Sequence, residues 1–121
     1  MDSLKGSRVL VVGGSSGIGL ATAAECIELG AEVTIASRPS EKLEQVCREF
    51  DVPVDTLAID VGSDESVRNA FDGKENWHHI VVSAGGVRAG QIRERPLEEA
   101  FASINVKFWG AYSVVALAPV H

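Results

Sequence analysis

The stretch VLVVGGSSGIGLATAA, residues 9–24, decides the fold of this chain. Its four leading residues, Val9 to Val12, are apolar and mostly β-branched, which suits a strand that is buried on both faces. Small residues follow directly from Gly13 to Gly19, and apolar residues then recur at helical spacing until Gly30. The stretch therefore predicts a β-strand, a glycine turn and the start of an α-helix.

The glycine turn predicts a site for a phosphate or pyrophosphate. Backbone N–H groups without partners and the positive end of the helix dipole meet there. Gly13 permits the sharp turn, Gly17 lets a ligand approach the backbone, and Gly19 lets the helix lie close to the strand. A P-loop would need Lys and then Ser or Thr after its last glycine, but Leu20 and Ala21 stand there, so triphosphate chemistry is excluded. The flanking strand and helix disfavour the alternative of a merely tight connection.

The turn is similar to the glycine motif of the short-chain dehydrogenase/reductase family, Thr-Gly-x-x-x-Gly-Ile-Gly, with Val12 where the Thr is usual. The resemblance implies an α/β fold, a three-layer Rossmann-like doubly wound parallel sheet with strand order 3-2-1-4. It also implies an oxidoreductase that moves hydride between a nicotinamide cofactor and an alcohol or carbonyl substrate. The implied cofactor contacts in the turn are Gly13, Ser15, Ser16, Gly17, Ile18 and Gly19.

Arg38 predicts which nicotinamide cofactor binds. Residues 31–36 form a second strand, which completes a right-handed βαβ unit with parallel strands. A cofactor without the 2′-phosphate is usually held at the end of this strand by Asp or Glu. Arg38 instead offers a planar donor fork that matches phosphate, with Ser37 beside it, so NADP(H) is favoured over NAD(H). The alternative is a solvated arginine at a strand end. Ser16 stands where relatives that prefer the phosphate often carry a second basic residue.

Further residues match the family in order along the chain. Asp60 and Val61 follow a third strand, residues 54–59, and the resemblance implies that the Asp60 carboxylate and the Val61 N–H contact the adenine ring. Aspartate after a strand is also a common turn former. A fourth strand is predicted from His79 to Ser83 and leads into Ala84 and Gly85. Ser83, Ala84 and Gly85 resemble the family's Asn-Ala-Gly, with Ser in place of Asn.

Asn105 lies in a long final helix that begins after Pro96. The resemblance makes it the Asn of the catalytic tetrad, which holds a water that links the catalytic Lys to solvent. A mid-helix Asn can equally mark a kink or a helix–helix hydrogen bond. The apolar residues of this helix share one face: Leu97, Phe101, Ile104, Phe108 and Val115.

Composition limits the function classes. The chain has 121 residues, 45% of them hydrophobic, 23% charged and with a net charge of −6, which is typical of one soluble globular domain and disfavours nucleic acid as a partner. The start of the chain lacks the apolar core of an export signal, and the apolar runs fall short of a membrane span, so we expect a cytoplasmic protein without a membrane partner.

The sequence also predicts no metal site. Cys26 and Cys47 are isolated in predicted helices, where we expect them to pack, and the adjacent His78 and His79 point to opposite sides of a strand.

The catalytic Ser and the Tyr-x-x-x-Lys pair of the family do not occur in this chain. The one tyrosine, Tyr112, is followed four positions later by Ala116, and no lysine follows Lys107. We therefore expect residues 1–121 to be the NADP(H)-binding Rossmann half of a longer, homo-oligomeric enzyme, a dimer or tetramer, and to be inactive alone. Tyr112 is expected to be a packing residue. The substrate cannot be derived from these residues.

Two alternatives remain open. One is a non-catalytic dinucleotide-binding or sensing module, and the reading frame beyond His121 distinguishes it from the enzyme. The other is an S-adenosylmethionine methyltransferase, which Arg38 disfavours because that class needs an acidic residue near the end of the second strand.

Overall fold

A four-stranded parallel sheet forms the centre of the fold. Its strands are β1 (Arg8–Val12), β2 (Glu32–Ser37), β3 (Asp55–Ala58) and β4 (His79–Val82). The computed structural model describes residues 3–83 and 91–120, and within them the strand order is β3-β2-β1-β4, with all neighbours parallel. The predicted order 3-2-1-4 is therefore confirmed.

Helices follow each strand. They are α1 (Gly17–Glu28), α2 (Glu41–Arg48), α3 (Asp64–Phe71), α4 (Leu97–Ile104) and α5 (Ala111–Leu117), and a π-helical segment, Asn105–Gly110, joins the last two. α2 and α3 begin at serine caps, because Ser40 Oγ accepts from Leu43 N and Ser63 Oγ accepts from Ser66 N, each at 3.2 Å.

Side chains of the central strand alternate between two apolar cores. Val9 and Val11 face α1 and α2, whereas Leu10 and Val12 face α3 and α5. All four are fully buried, as expected for a strand covered on both faces. The result is a three-layer helix–sheet–helix arrangement. Cys26 and Cys47 pack at the edge of the first core, where burial raises the pKa of both thiols.

The final helix is anchored to the sheet through one side only. Gly110, Ser113 and Val114 are buried against the core, and a Cβ on Gly110 would lie 2.8 Å from the Val61 carbonyl oxygen. Continuous over 21 residues, Leu97–Leu117 is by length and composition long enough to cross a membrane. The sequence analysis considered uninterrupted apolar runs and therefore did not identify this helix, in which Glu98, Glu99 and Lys107 interrupt the apolar residues.

The opposite side of this helix carries an apolar face made of Leu97, Phe101, Ile104, Phe108, Tyr112 and Val115. These side chains are 59 to 82% exposed. The predicted packing role of Tyr112 was wrong in one respect, because its ring stacks on Trp109 (centroids 5.3 Å apart) outside the core. Sequence periodicity placed all of these residues except Tyr112 together, and the fold leaves the whole face uncovered within the part of the chain it describes.

We predict that Leu10→Ala lowers the free energy of unfolding by about 2–5 kcal/mol, since it empties space in a close-packed core. Leu10 is 0% exposed at the centre of the sheet. Val52→Ala is the control: Val52 is 46% exposed, so a loss below about 1 kcal/mol is expected there. Urea unfolding of both variants tests this, and equal losses would contradict the assigned core.

Candidate functional site

A cleft of about 1070 Å³ opens at the carboxyl edge of the sheet. The ends of the strands, the start of α1 and the first half of the final helix line it, as expected where connections to β1 leave in opposite directions. The cleft collects the described residues that the sequence predicted as cofactor contacts: Gly13, Ser15, Ser16, Gly17, Ile18, Gly19, Ser37, Arg38, Asp60, Val61 and Ser83. The predicted contacts Ala84 and Gly85 lie outside the described residues.

The glycine turn presents backbone N–H groups to this cleft. Gly13 and Gly17 have φ of +89° and +56°, a conformation that side chains disfavour. The Gly13 N–H donates to Ala36 O at 2.7 Å, whereas residues 14–19 donate no backbone hydrogen bond to any residue in the described ranges. Ser16, the N-cap of α1, makes no side-chain cap, unlike Ser40 and Ser63. This helix start can therefore accept an anion as its cap.

Gly19 and Ser83 hold the turn against the sheet. A Cβ on Gly19 would overlap the Gly13 carbonyl oxygen and lie 2.5 Å from Ser83 Oγ, so only glycine fits. Ser83 Oγ donates to Gly13 O at 3.3 Å, and Ser83 N donates to Val12 O at 2.8 Å. The shorter side chain, present where the family has Asn, thus still joins β4 to β1 and to the turn.

The end of β2 contributes polar and positive groups. Ser37 Oγ donates to Arg38 O at 3.1 Å, and the Arg38 side chain is exposed at the cleft. Lys42, in the first turn of α2, also lines the cleft. The sequence prediction missed Lys42, although its place in the first turn of a capped helix was available as a signal.

Asp60 forms the turn that the sequence analysis named as an alternative, and its predicted contact with adenine stays a prediction. Its Oδ1 accepts from Gly62 N at 3.0 Å, which is the hydrogen bond of an aspartate turn. The Asp60 backbone N–H donates to Ser66 Oγ at 2.9 Å, so α3 holds the residue in place. Since Asp60 and Val61 both line the cleft, the turn orients the carboxylate beside it.

Asn105 lies at the start of the π-helical segment, and it is Val106 that reaches the cleft. Asn105 Nδ2 donates to Gly62 O at 3.0 Å. This bond joins the final helix to the loop after β3, so it differs from the helix–helix hydrogen bond that the sequence analysis named as an alternative. The catalytic role that the family resemblance implies for Asn105 stays a prediction.

A second missed group forms the opposite wall. Arg95 Nη2 donates to Ser103 Oγ at 2.7 Å, and Arg95 Nε lies 3.8 Å from Glu99 Oε2. Glu99 and Ser103 are four positions apart on one side of α4, and Arg95 lies just before the helix and reaches both. Their side chains line the cleft along α4. The spacing of 95, 99 and 103 was visible in the sequence, but their proximity to the cleft was not.

In residues 3–83 and 91–120, no three His, Cys, Asp or Glu side chains cluster closely enough to hold a metal ion. The chemistry of the cleft is instead that of backbone N–H donors, hydroxyls, cations and carboxylates. Such a donor set fits phosphates and a heterocyclic base.

Comparison with known proteins identifies a family and several relatives. The family model described as short chain dehydrogenase matches residues 7–120. The 3-dehydrosphinganine reductase TSC10B of Arabidopsis thaliana is 32% identical over 119 residues, which is 95% of this chain and 36% of that protein. The hydroxysteroid 11-beta-dehydrogenase 1-like protein of Danio rerio is 33% identical over 116 residues, 88% of this chain and 40% of that protein.

Solved structures with the same fold are also found. A short chain dehydrogenase/reductase family protein superimposes with a TM-score of 0.90 at 27% identity, over 96% of this chain and 49% of that one. L-sorbose reductase from Gluconobacter frateurii, complexed with NADPH and L-sorbose, superimposes with a TM-score of 0.87 at 25% identity, over 98% of this chain and 48% of that one.

The fold and its edge cleft define a Rossmann-like α/β protein. With the family match over residues 7–120, the chain belongs to the short-chain dehydrogenase/reductase family of oxidoreductases. It spans about a third to a half of the length of these relatives.

We predict that Gly19→Ala lowers the free energy of unfolding by about 1–3 kcal/mol, because the new methyl group overlaps the turn and forces α1 away from the sheet. Gly62→Ala is the control, as a Cβ there meets nothing closer than 3.3 Å. Thermal unfolding of both variants checks the difference. A Gly19→Ala protein as stable as the parent would show that α1 does not depend on this close contact.

Proposed function

We propose that this chain is the NADP(H)-binding half of an oxidoreductase that transfers hydride between NADP(H) and an alcohol or carbonyl substrate. One observation carries the proposal: an uncapped helix start and Arg38 face the same cleft. The NADPH in the related L-sorbose reductase structure supports it. NAD(H) is the less favoured cofactor, because no carboxylate follows β2 at the position of Arg38.

The pyrophosphate would lie at the glycine turn. Residues 14–19 supply backbone N–H donors, and the α1 dipole adds positive potential at the same point. Gly17 leaves open space, since a Cβ there would meet nothing within 4 Å. An approaching phosphate oxygen can therefore contact the backbone directly.

The adenosine would extend toward β2 and β3. Arg38 and Ser37 would hold the 2′-phosphate on the ribose, and the Asp60 carboxylate would accept from the adenine amino group while Val61 N meets the ring. Asp60 Oδ1 is already used by Gly62 N, so the other carboxylate oxygen is the one proposed for the adenine. These assignments rest on the positions of the residues around one cleft.

NADP(H), when bound, supplies or accepts the hydride. This chain contributes binding and orientation, and Asn105, through its bond to Gly62, would set the final helix beside the cofactor. The chain holds no Tyr-x-x-x-Lys, so we expect residues 1–121 alone to bind cofactor without turning over substrate. The proposed location is the cytoplasm.

We predict that the chain binds NADPH more tightly than NADH and that Arg38→Asp reverses this order, since a carboxylate repels the 2′-phosphate and can pair with the ribose hydroxyls. A change of about tenfold or more in the affinity ratio is expected for such a charge reversal. Calorimetric titration of the parent and variant measures it. Arg93→Asp, an exposed arginine that does not line the cleft, is the control.

Equal affinities of the parent for both cofactors, unchanged by Arg38→Asp, would refute the NADP preference. Binding of neither cofactor would refute the proposed function.

We also propose that the complete protein is a homo-oligomer that uses the apolar face of the final helix. Six exposed apolar side chains in one stripe form a patch that soluble monomers seldom leave uncovered. The face carries no charged side chain, which suits a second copy of the same surface.

We predict that the double variant Phe101→Ser and Phe108→Ser weakens self-association at least about tenfold, because two large apolar anchors are lost. Sedimentation velocity over a concentration series measures the effect, and Val52→Ser is the control at an exposed site elsewhere. A parent chain that stays monomeric throughout, or that binds lipid vesicles in preference to itself, would contradict this interface.

A further inference from the structure

Two cationic residues, Arg38 and Lys42, lie in the segment where β2 passes into α2. Arg38 follows the strand, Lys42 lies in the first turn of the helix, and both line the cleft. Neither side chain makes an ion pair or hydrogen bond with a residue in the ranges 3–83 and 91–120. Both therefore keep their full capacity to bind an anion.

The backbone fixes Lys42 relative to Arg38. Ser40 caps α2 through Leu43 N at 3.2 Å, so three residues separate the end of the strand from the start of the helix, and the helix begins with a defined direction. Leu43 and Val46 are buried and hold the first turns against the sheet. Lys42 consequently stays on the cleft side of the helix.

Lys42 also has no acidic residue at the helical spacing that would let it form an ion pair within α2. Stabilising ion pairs on a helix need an acidic residue three or four positions away. Gln45 and Val46 occupy the following positions, and Pro39 and Arg38 the preceding ones. Arg48, by contrast, donates from its Nε to the backbone carbonyl oxygen of Glu44, four residues earlier. No helical pair accounts for Lys42.

The negative charges that line the cleft lie away from the junction of β2 and α2. Its two carboxylates are Asp60, after β3, and Glu99, which pairs with Arg95 on α4. At the corner between β2 and α2 the lining charges are only positive, in a chain whose net charge is −6. Two neighbouring cations repel each other, and a dianionic phosphate relieves that repulsion more than any monoanion does.

We propose that Lys42 is the second cation for the 2′-phosphate of NADP(H), an inference that rests on the function proposed above. It supplies the charge that Ser16, in the glycine turn, does not carry. The Arg38 guanidinium offers a planar fork to two phosphate oxygens, and the Lys42 ammonium acts as a point charge on the same group. The 2′-phosphate would then be bound at the junction of β2 and α2.

The test compares Lys42→Met, which keeps most of the stem and removes the charge, with Lys42→Arg, which keeps the charge. Lys74→Met, an exposed lysine outside the cleft, is the matched control. NADPH, NADH, 2′-AMP and 5′-AMP are titrated into the whole chain by calorimetry at low and high salt. Circular dichroism verifies that each variant is folded.

We expect Lys42→Met to weaken NADPH and 2′-AMP by about three- to tenfold at low salt and NADH and 5′-AMP by less than about twofold, since only the first pair carries the 2′-phosphate. Lys42→Arg should restore most of the loss. The loss should shrink at high salt, because both cations are exposed and screened.

The outcomes separate the two proposals. A parent that prefers NADPH and keeps that preference in Lys42→Met would overturn the assignment of Lys42 and leave the proposed function standing. An equal loss for all four ligands would also overturn it, because the effect would then not belong to the 2′-phosphate. A parent that binds none of the four would overturn the proposed function and this inference with it.

Discussion

The close approach of Gly19 to the Gly13 carbonyl oxygen is the constraint on which the structure depends. Because no side chain separates them, α1 starts directly above the end of β1, and its first N–H groups point out of the sheet edge. Ser83 closes the same arrangement from β4. A strand, a helix start and a neighbouring strand are thereby held within hydrogen-bonding reach of one another, and the cleft exists because of that contact.

The local charge around the cleft differs in sign from the net charge of the chain. The chain is acidic overall, yet its cleft has N–H donors at one end and two cations at the corner between β2 and α2. Local fields of this kind act over about a Debye length of roughly 8 Å at physiological salt, so a net charge spread over the surface does not cancel them. An acidic protein can therefore hold a polyanionic ligand.

The final helix joins the binding cleft to an outer surface. Gly110 sets it against Val61, and the Asn105 bond to Gly62 fixes it beside the loop after β3. On the cleft side it contributes Ser103 and Val106, and on the other side it presents the apolar face. Any partner that covers that face would thus contact an element that also shapes the cleft.

The residues by themselves determined the strand–turn–helix unit, while the strand order and most of the described cleft residues were implied by the resemblance to the short-chain dehydrogenase/reductase family. The strand–turn–helix unit follows from local rules, because glycine tolerates positive φ and β-branched runs form buried strands. Only the tertiary structure decided that Lys42 and Arg95 reach the cleft and that the apolar stripe faces outward. Periodicity shows that residues share a side of a helix, but whether that side meets the core, the cleft or nothing depends on how distant segments pack.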